Sequence, residues 1–179
     1  MRLEIFNFVE DSLIILSKFS RELEVLSGEL EIFFKKNLDN NDYFLNVSSR
    51  IKSPMSLKEK ILRNNYYLTF ADAQDFFFGL SDLIGVRLEC RFIEDEDKLF
   101  SRIKEIFSKQ RDDGYFYNED YPAIMLNLID KQPQIQKNGF EIFKIDGIIA
   151  GEGPAFHFEL QIKSLVNMGM TLKKYGYYY

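Results

Sequence analysis

The chain has 179 residues, of which 46% are hydrophobic and 16% aromatic, and its formal net charge is -5. This length and apolar content indicate one folded globular unit rather than a disordered chain. The negative balance argues against broad nonspecific binding to nucleic acid, although a local basic pocket is compatible with it. Cys90 is the single cysteine, which excludes an internal disulfide and a cysteine-based zinc site.

The N-terminal segment predicts helix. Between Phe6 and Phe34, apolar residues recur every three or four positions, which indicates one long amphipathic helix or two shorter ones, followed by a polar loop or helix end over Lys35 to Asp42. Interrupting charges such as Glu10 and Lys18 argue against a signal peptide or a membrane span. We expect a cytoplasmic protein with a helical segment at residues 1–45 and one compact domain at residues 46–179.

A block of cations and hydroxyls follows, reading Arg50-Ile51-Lys52-Ser53-Pro54-Met55-Ser56-Leu57-Lys58-Glu59-Lys60. Ser53 before Pro54 predicts a helix start, and Ser56 with Glu59 offers an alternative capping box. On this helix Ser56 and Lys60 share a face, and the N-terminal amides favour anions. The block is a phosphate-site candidate, and its ordinary alternative is a solvated, charged helix start.

A half-buried strand is predicted from Leu83 to Phe92, because apolar and charged residues alternate there. The acidic run Glu94 to Asp97 and the apolar stripe after it then predict a helix. Asp82 shares the parity of the apolar face. It can therefore reach a metal only if regular pleating begins after it.

The C-terminal half predicts a loop and a hairpin. Arg111 to Pro122 lacks periodicity and is interpreted as a surface loop, whereas Phe140–Ile149 and Ala155–Ser164 indicate two strands joined by a glycine-rich turn. Alternation turns Glu159 away from the core, together with His157, which is either a pocket residue or a partly exposed strand histidine. The fold class expected is α+β, with a mixed sheet flanked by helices.

Three short motifs carry a resemblance to a known family. They are Arg50, Lys52 and Ser56 as R-x-K-(x)3-S, Asp82 to Arg87 as D-(L/I)-x-G-(I/V)-R, and Glu159 to Ser164 as E-(V/L)-Q-I-(R/K)-(T/S). In this order, over roughly residues 45 to 165, the chain resembles the synthetase domain of the RelA/SpoT family of alarmone, or (p)ppGpp, synthetases. That resemblance implies a nucleotidyltransferase-like fold.

The resemblance also implies roles for individual residues. The ATP phosphates would be held by Arg50, Lys52, Ser56, Lys60 and Arg87, and Mg²⁺ and catalysis would rest on Asp82 and Glu159. Acids for a divalent cation and cations for phosphate are what phosphoryl transfer needs. Acceptor binding falls to Phe140, Lys144 and Gln161, with the Phe140 ring stacked on guanine.

The acceptor motif departs from the family. Asn138-Gly139-Phe140 matches the start of asparagine-glycine-tyrosine, but Lys144 and its neighbours replace the expected serine and histidine. The usual basic run before it is reduced to Lys131 and Lys137. The family's C-terminal helix is also missing from Asn167 to Tyr179, so we expect a shortened C-terminus.

Three functions follow, in this order. The first is pyrophosphate transfer from ATP to the 3'-hydroxyl of GDP or GTP, with Mg²⁺ as cofactor. The second keeps ATP as donor but uses another acceptor, such as the 3' end of tRNA, and the third is a nucleotide-binding or interaction module without activity. Oligomerisation is left open.

Overall fold

The computed structural model describes residues 2–166. The helices are α1 (Arg2–Leu38), α2 (Pro54–Asn64), α3 (Tyr66–Thr69), α4 (Ala73–Gly79) and α5 (Ile93–Ile106). The strands are β1 (Phe44–Ile51), β2 (Ile84–Cys90), β3 (Lys109–Gln110), β4 (Phe116–Asn118), β5 (Tyr121–Leu126), β6 (Gln134–Ile135), β7 (Glu141–Ile149) and β8 (Phe156–Ser164). The fold is α+β with a mixed sheet, as predicted. The expected shortened C-terminus, residues 167–179, lies outside the described residues.

The sheet has the strand order β1-β2-β8-β7-β5-β4-β3, and β6 pairs with β7 beside this path. Only β2 and β8 run parallel among the pairs of the described chain, and the other pairs are antiparallel. The two strands that carry the predicted acidic motifs are therefore direct neighbours in the interior of the sheet. This adjacency brings together residues such as Ile84 and Phe158, which are far apart in the sequence.

One face of the sheet is the hydrophobic core. α1 packs on β1 and β2, while α4 and α5 pack on β8. Leu30 and Phe34 of α1 and Leu160 of β8 are fully buried and belong to the same apolar cluster. Burial of each such side chain contributes about 1.5–3 kcal/mol to folding. Because the helices cover this face, the charged residues that alternate with the core residues point to the opposite one.

Several local predictions are confirmed. α1 is one continuous helix, and it ends at Leu38 inside the predicted polar segment. Ser53 caps α2 by accepting a hydrogen bond from the Ser56 amide, with Pro54 in the first turn, so the alternative capping box does not form. β7 and β8 form the predicted antiparallel hairpin. Within residues 2–166, none of the helices is apolar enough over a sufficient length to cross a bilayer.

The loop predicted from Arg111 to Pro122 is wrong, because β4 and the start of β5 lie there. Phe116 and Tyr121 pack against the core, which a surface loop would not require. The Tyr121 hydroxyl donates a hydrogen bond to the Glu29 carboxylate of α1, and the side-chain amide of Asn118 donates one to the backbone carbonyl of Ile106. Tertiary contacts with two helices thus order a segment that has no regular hydrophobic period of its own.

Candidate functional site

The polar face of the sheet carries two register rows of side chains. Across β1, β2, β8 and β7, one row contains Arg50, Gly85, Glu159 and Asp146, and the next contains Ser48, Arg87, Gln161 and Lys144. Residues paired in register project to the same face, so these rows form a continuous polar surface. Five of the ten predicted site residues lie in these two rows, namely Arg50, Arg87, Lys144, Glu159 and Gln161.

A cavity of about 310 Å³ opens over the β1, β2 and β8 part of this surface. Its lining includes seven residues predicted from the sequence, namely Arg50, Lys52, Ser56, Asp82, Arg87, Glu159 and Gln161. Lys60 reaches the same place through its contact with Asp82. The structure therefore assembles the predicted phosphate-binding residues and both predicted acids around one space.

Asp82 is held by two lysines. The ammonium groups of Lys52 and Lys60 each lie 2.9 Å from its Oδ2 atom. Burial acts to raise the pKa of Asp82, but the hydrogen bonds and charges of the two lysines outweigh burial, so the pKa is lowered. The carboxylate is thus ionised near neutral pH, and both lysines stay at the cavity.

The strand mouth positions Asp82. β2 begins at Ile84, so Asp82 lies in the turn before it, where its side chain is free of the alternation that would bury it. The Lys52 amide donates a hydrogen bond of 2.8 Å to the carbonyl of Leu83, which ties the end of β1 to this turn. The condition set by the sequence, that regular pleating begins after Asp82, is met.

The start of α2 borders the cavity. Its N-cap Ser53 and the Ser56 hydroxyl are hydrogen-bonded at 2.9 Å, and both residues line the cavity. An α-helix N-terminus presents unpaired amides and a partial positive charge. Because α2 also supplies Lys60, this end of the cavity is suited to bind anionic groups.

Arg50 crosses the sheet at a glycine. A Cβ atom built on Gly85 would lie 3.5 Å from two atoms of the Arg50 side chain, so the arginine passes directly over this residue. Gly85 separates Arg50 from Glu159 in the register row. Arg50, Gly85 and Glu159 all line the cavity, and the missing side chain at Gly85 lets the arginine lie close to the sheet.

Glu159 is the most enclosed acid of the cavity, with its side chain 12% exposed. Its Oε1 atom accepts a hydrogen bond of 2.6 Å from the side-chain amide of Gln161, and its Oε2 atom lies 3.4 Å from the Lys144 ammonium. These contacts fix the carboxylate on the polar face, as strand parity predicts. Gln161 and Lys144 thus act on Glu159 directly.

The donor set fits Mg²⁺. Among the described residues, Asp82 Oδ1 is buried and has no hydrogen-bond partner. Residues 2–166 contain no group of three or more His, Cys, Asp or Glu side chains arranged to hold a metal by themselves. Mg²⁺ is usually bound through one or two carboxylates together with substrate phosphates and water. Asp82 and Glu159 meet that requirement, and a site built only from protein ligands is not needed.

The β7 side of the surface is a separate, shallower hollow. Its lining residues are Gln134, Ile135, Gln136, Lys137, Asn138, Ile142 and Lys144. The backbone of Lys144 is fixed by Gln132, which accepts from its amide and donates to its carbonyl, and by Gln134, which donates to the same carbonyl. Lys144 therefore connects the hollow with Glu159. Phe140, the predicted acceptor residue just before β7, lines neither the cavity nor the hollow.

That residue, Phe140, is half-buried at the entry to β7. The preceding Gly139 has a φ of 82°, a conformation that glycine adopts readily, and the Asn138 side chain accepts a hydrogen bond from the Phe140 amide. The asparagine-glycine pair thus shapes the turn that presents the ring.

Sequence reasoning missed Asp146. It pairs directly with Glu159 across β7 and β8 and lies half-buried on the polar face. The available signal was parity, because Asp146 follows Lys144 by two residues in an alternating strand. His157 lies on the same face opposite Ile148, and its pKa is lowered by burial, which outweighs the opposing effect of Asp146.

The geometry is that of a mixed sheet whose β1, β2 and β8 strands carry a cavity lined by cations and by two carboxylates. The family described as "Region found in RelA / SpoT proteins" matches residues 49–175. The chain belongs to this family. The matched segment contains all three motifs recognised in the sequence.

Solved structures show the same fold. The small alarmone synthetase 1 from Bacillus subtilis is 17% identical, with a TM-score of 0.58 over 90% of this chain and 75% of that chain. Its structure bound to the product pppGpp has a TM-score of 0.57, with 17% identity over 90% of this chain and 76% of that chain. The protein smu.1046c from Streptococcus mutans UA159 is 18% identical, with a TM-score of 0.60 over 88% of this chain and 76% of that chain. Among curated proteins, none matches this chain.

Proposed function

We propose that this chain transfers pyrophosphate from ATP to the 3'-hydroxyl of GDP or GTP and so makes (p)ppGpp. The observation that carries the proposal is the cavity in which Lys52 and Lys60 flank Asp82, and Arg50 faces Glu159 across Gly85. This pairing of cations and acids suits phosphoryl transfer between nucleotides. A relative of the same fold is bound to AMPCPP in one structure and to pppGpp in another.

In this proposal the donor occupies the α2 side of the cavity. Arg50, Lys52 and Lys60 neutralise the ATP phosphates, and the amides at the start of α2 add hydrogen bonds. Ser56 and Arg87 complete the phosphate contacts from the cavity wall. Mg²⁺, held by Asp82 and Glu159, would supply charge neutralisation at the phosphates.

The acceptor enters from the β7 side. Its 3'-oxygen attacks the β-phosphorus of ATP, the hydroxyl proton passes to the Glu159 carboxylate, the bond from that phosphorus to the α-phosphate oxygen breaks, and AMP leaves. Glu159 orients the attacking hydroxyl, and Gln161 and Lys144 keep its carboxylate in place. The ring of Phe140 stacks on the acceptor base. Because both substrates are cytoplasmic nucleotides, the proposal also places the protein in the cytoplasm.

A second acceptor is favoured by one feature of the β7 side. The hollow there presents Lys137 and Lys144 together with amide side chains, a surface suited to a phosphodiester backbone. On this alternative the acceptor is the 3' end of tRNA, and the donor side of the cavity works unchanged.

The test offers ATP labelled on its terminal phosphate, with Mg²⁺, to GDP, GTP and bulk tRNA in separate reactions. Label on a guanosine nucleotide with release of AMP supports the proposal, and label on tRNA alone replaces it with the second acceptor. Nucleotide binding without transfer to any of the three would overturn both and favour a binding module.

A further inference from the structure

Asp146 is a second carboxylate beside the proposed catalytic acid. It lies directly opposite Glu159 in the antiparallel pair of β7 and β8, and both side chains point to the polar face. Directly opposed residues in such a pair have Cβ atoms about 4.5–5.5 Å apart. Two carboxylates at this spacing can both reach neighbouring atoms of one small ligand.

The two acids differ in their partners. Both oxygens of Glu159 are engaged, one by Gln161 and the other by Lys144. In residues 2–166, by contrast, the Asp146 carboxylate makes no hydrogen bond or ion pair, although it is half-buried. The described residues thus supply no hydrogen-bond donor to Asp146.

Like charges directly opposite each other in a sheet are destabilising, so an unpaired carboxylate at this position has an energetic cost. Hydroxyl donors supplied by a ligand would offset that cost. A ribose carries two hydroxyls on adjacent carbons, and the proposed reaction takes place at one of them.

We propose that Asp146 binds the 2'-hydroxyl of the acceptor ribose while Glu159 faces the 3'-hydroxyl, so that Asp146 selects a ribonucleotide over a 2'-deoxynucleotide. The inference rests on the proposed function, and it deepens that function by naming the sugar chemistry that the acceptor must have. The same diol is present in GDP, in GTP and at the 3' end of tRNA. Asp146 therefore acts alike for each acceptor.

The test measures dissociation constants of GDP and 2'-deoxy-GDP by calorimetry in the presence of Mg²⁺, for the wild-type protein, Asp146→Ala and Asp130→Ala. Asp130 is an exposed acid whose charge acts on Asp146, so its removal controls for charge alone. A hydrogen bond to a charged group predicts that the wild-type protein prefers GDP by about 10- to 100-fold. Asp146→Ala should bring this preference close to one, and Asp130→Ala should retain it.

Equal binding of the two nucleotides by the wild-type protein, binding of neither, or an unchanged preference in Asp146→Ala would each overturn the assignment. If Asp146→Ala does not fold, Asp146→Asn keeps the shape and should still lose about fivefold of the preference, because the charge-assisted bond is gone. The binding measurement tests the role of Asp146 independently of whether the protein catalyses transfer. A protein that prefers GDP through Asp146 but transfers nothing would disprove the proposed function and retain the diol site.

Discussion

The α2 side and the β7 side of the polar surface differ in how completely they are formed. On the α2 side, two lysines contact one carboxylate at 2.9 Å, and a capped helix start closes the cavity. On the β7 side, Lys144 lies 3.4 Å from Glu159, Phe140 lines neither space, and Asp146 makes no hydrogen bond or ion pair with the described residues 2–166. The side with intact sequence motifs is organised before any ligand binds. The side with altered motifs depends on its ligand.

The difference has a physical basis. Ion pairs with Asp82 hold Lys52 and Lys60 at the cavity in the free chain, and binding of Mg²⁺ by Asp82 would release the two ammonium groups to the phosphates. On the acceptor side, Gln161 and Lys144 contact Glu159, whereas Phe140 lines neither the cavity nor the hollow. We therefore expect donor variants to change chemistry and Mg²⁺ dependence, and acceptor variants to change acceptor affinity.

The largest effect is expected where the two sides meet. Glu159→Gln keeps the shape of the side chain but removes its charge, so transfer should fall at least about 100-fold while the melting temperature changes little. Initial rates and a thermal melt measure both quantities. Glu141→Gln, at the exposed start of β7, is the matched control and should retain activity. Retained turnover in Glu159→Gln would contradict the assignment.

The next effect concerns the donor side. Asp82→Asn removes the carboxylate that holds Lys52 and Lys60, so the lysines become available to phosphate in the absence of Mg²⁺. We expect ATP to bind the variant about 3- to 10-fold more tightly without Mg²⁺, and Mg²⁺ to stimulate its transfer far less. Calorimetry with EDTA and with Mg²⁺ checks this.

Asp42→Asn, which alters an exposed acid outside the cavity, should behave like the wild-type protein. Full Mg²⁺ stimulation in Asp82→Asn would show that this acid does not hold the metal.

A smaller effect is expected on the acceptor side. Phe140→Ala removes the stacking ring and should raise the KM for the acceptor about tenfold, with little change in the KM for ATP. Steady-state kinetics with each substrate varied in turn separates the two constants. Phe6→Ala removes a ring from the exposed face of α1 and serves as control. An unchanged acceptor KM would remove the stacking role of Phe140.

The smallest effect concerns stability. Because the pKa of Asp82 is lower in the folded chain than in the unfolded chain, its contribution is complete above about pH 5 and is lost as the pH falls through the folded value. Asp82→Asn should be less stable than the wild-type protein by about 1 kcal/mol at pH 7, and the difference should shrink in acid. Urea unfolding at several pH values measures it, and a difference that grows in acid would contradict the lysine contacts.

The sequence predicted the elements that have a clear period or a specific start signal. α1, the cap at Ser53, β2 and the β7–β8 hairpin all belong to this group, and from them follow the positions of Asp82 before β2 and of Glu159 on the polar face of β8. β1 was missed because Ser49, on its helix-facing side, is polar and bonds to Glu31 and Ser27 of α1. Its register with β2, which brings Arg50 to Gly85, depends on contacts that no local pattern encodes.

The acceptor side was the least predictable part of the site. Contacts with helices and with β7 order β4 and β5. These strands therefore form without a regular hydrophobic period in their own sequence. Asp146 gains its significance only from its cross-strand partner, and pairing between strands follows from the fold rather than from a motif. Motif reasoning therefore named residues within three short segments of the sequence, and it did not name Asp146, whose position beside Glu159 follows from strand pairing.

The central claim is that both terminal phosphates of ATP move together onto a hydroxyl acceptor. The most direct measurement uses ATP labelled at its β-phosphate, with Mg²⁺ and GDP, and compares the wild-type protein with Glu159→Gln. We predict label in the guanosine product, AMP formed in equal amount, and neither with Glu159→Gln. Formation of ADP in place of AMP, or equal label transfer by the variant, would contradict the account.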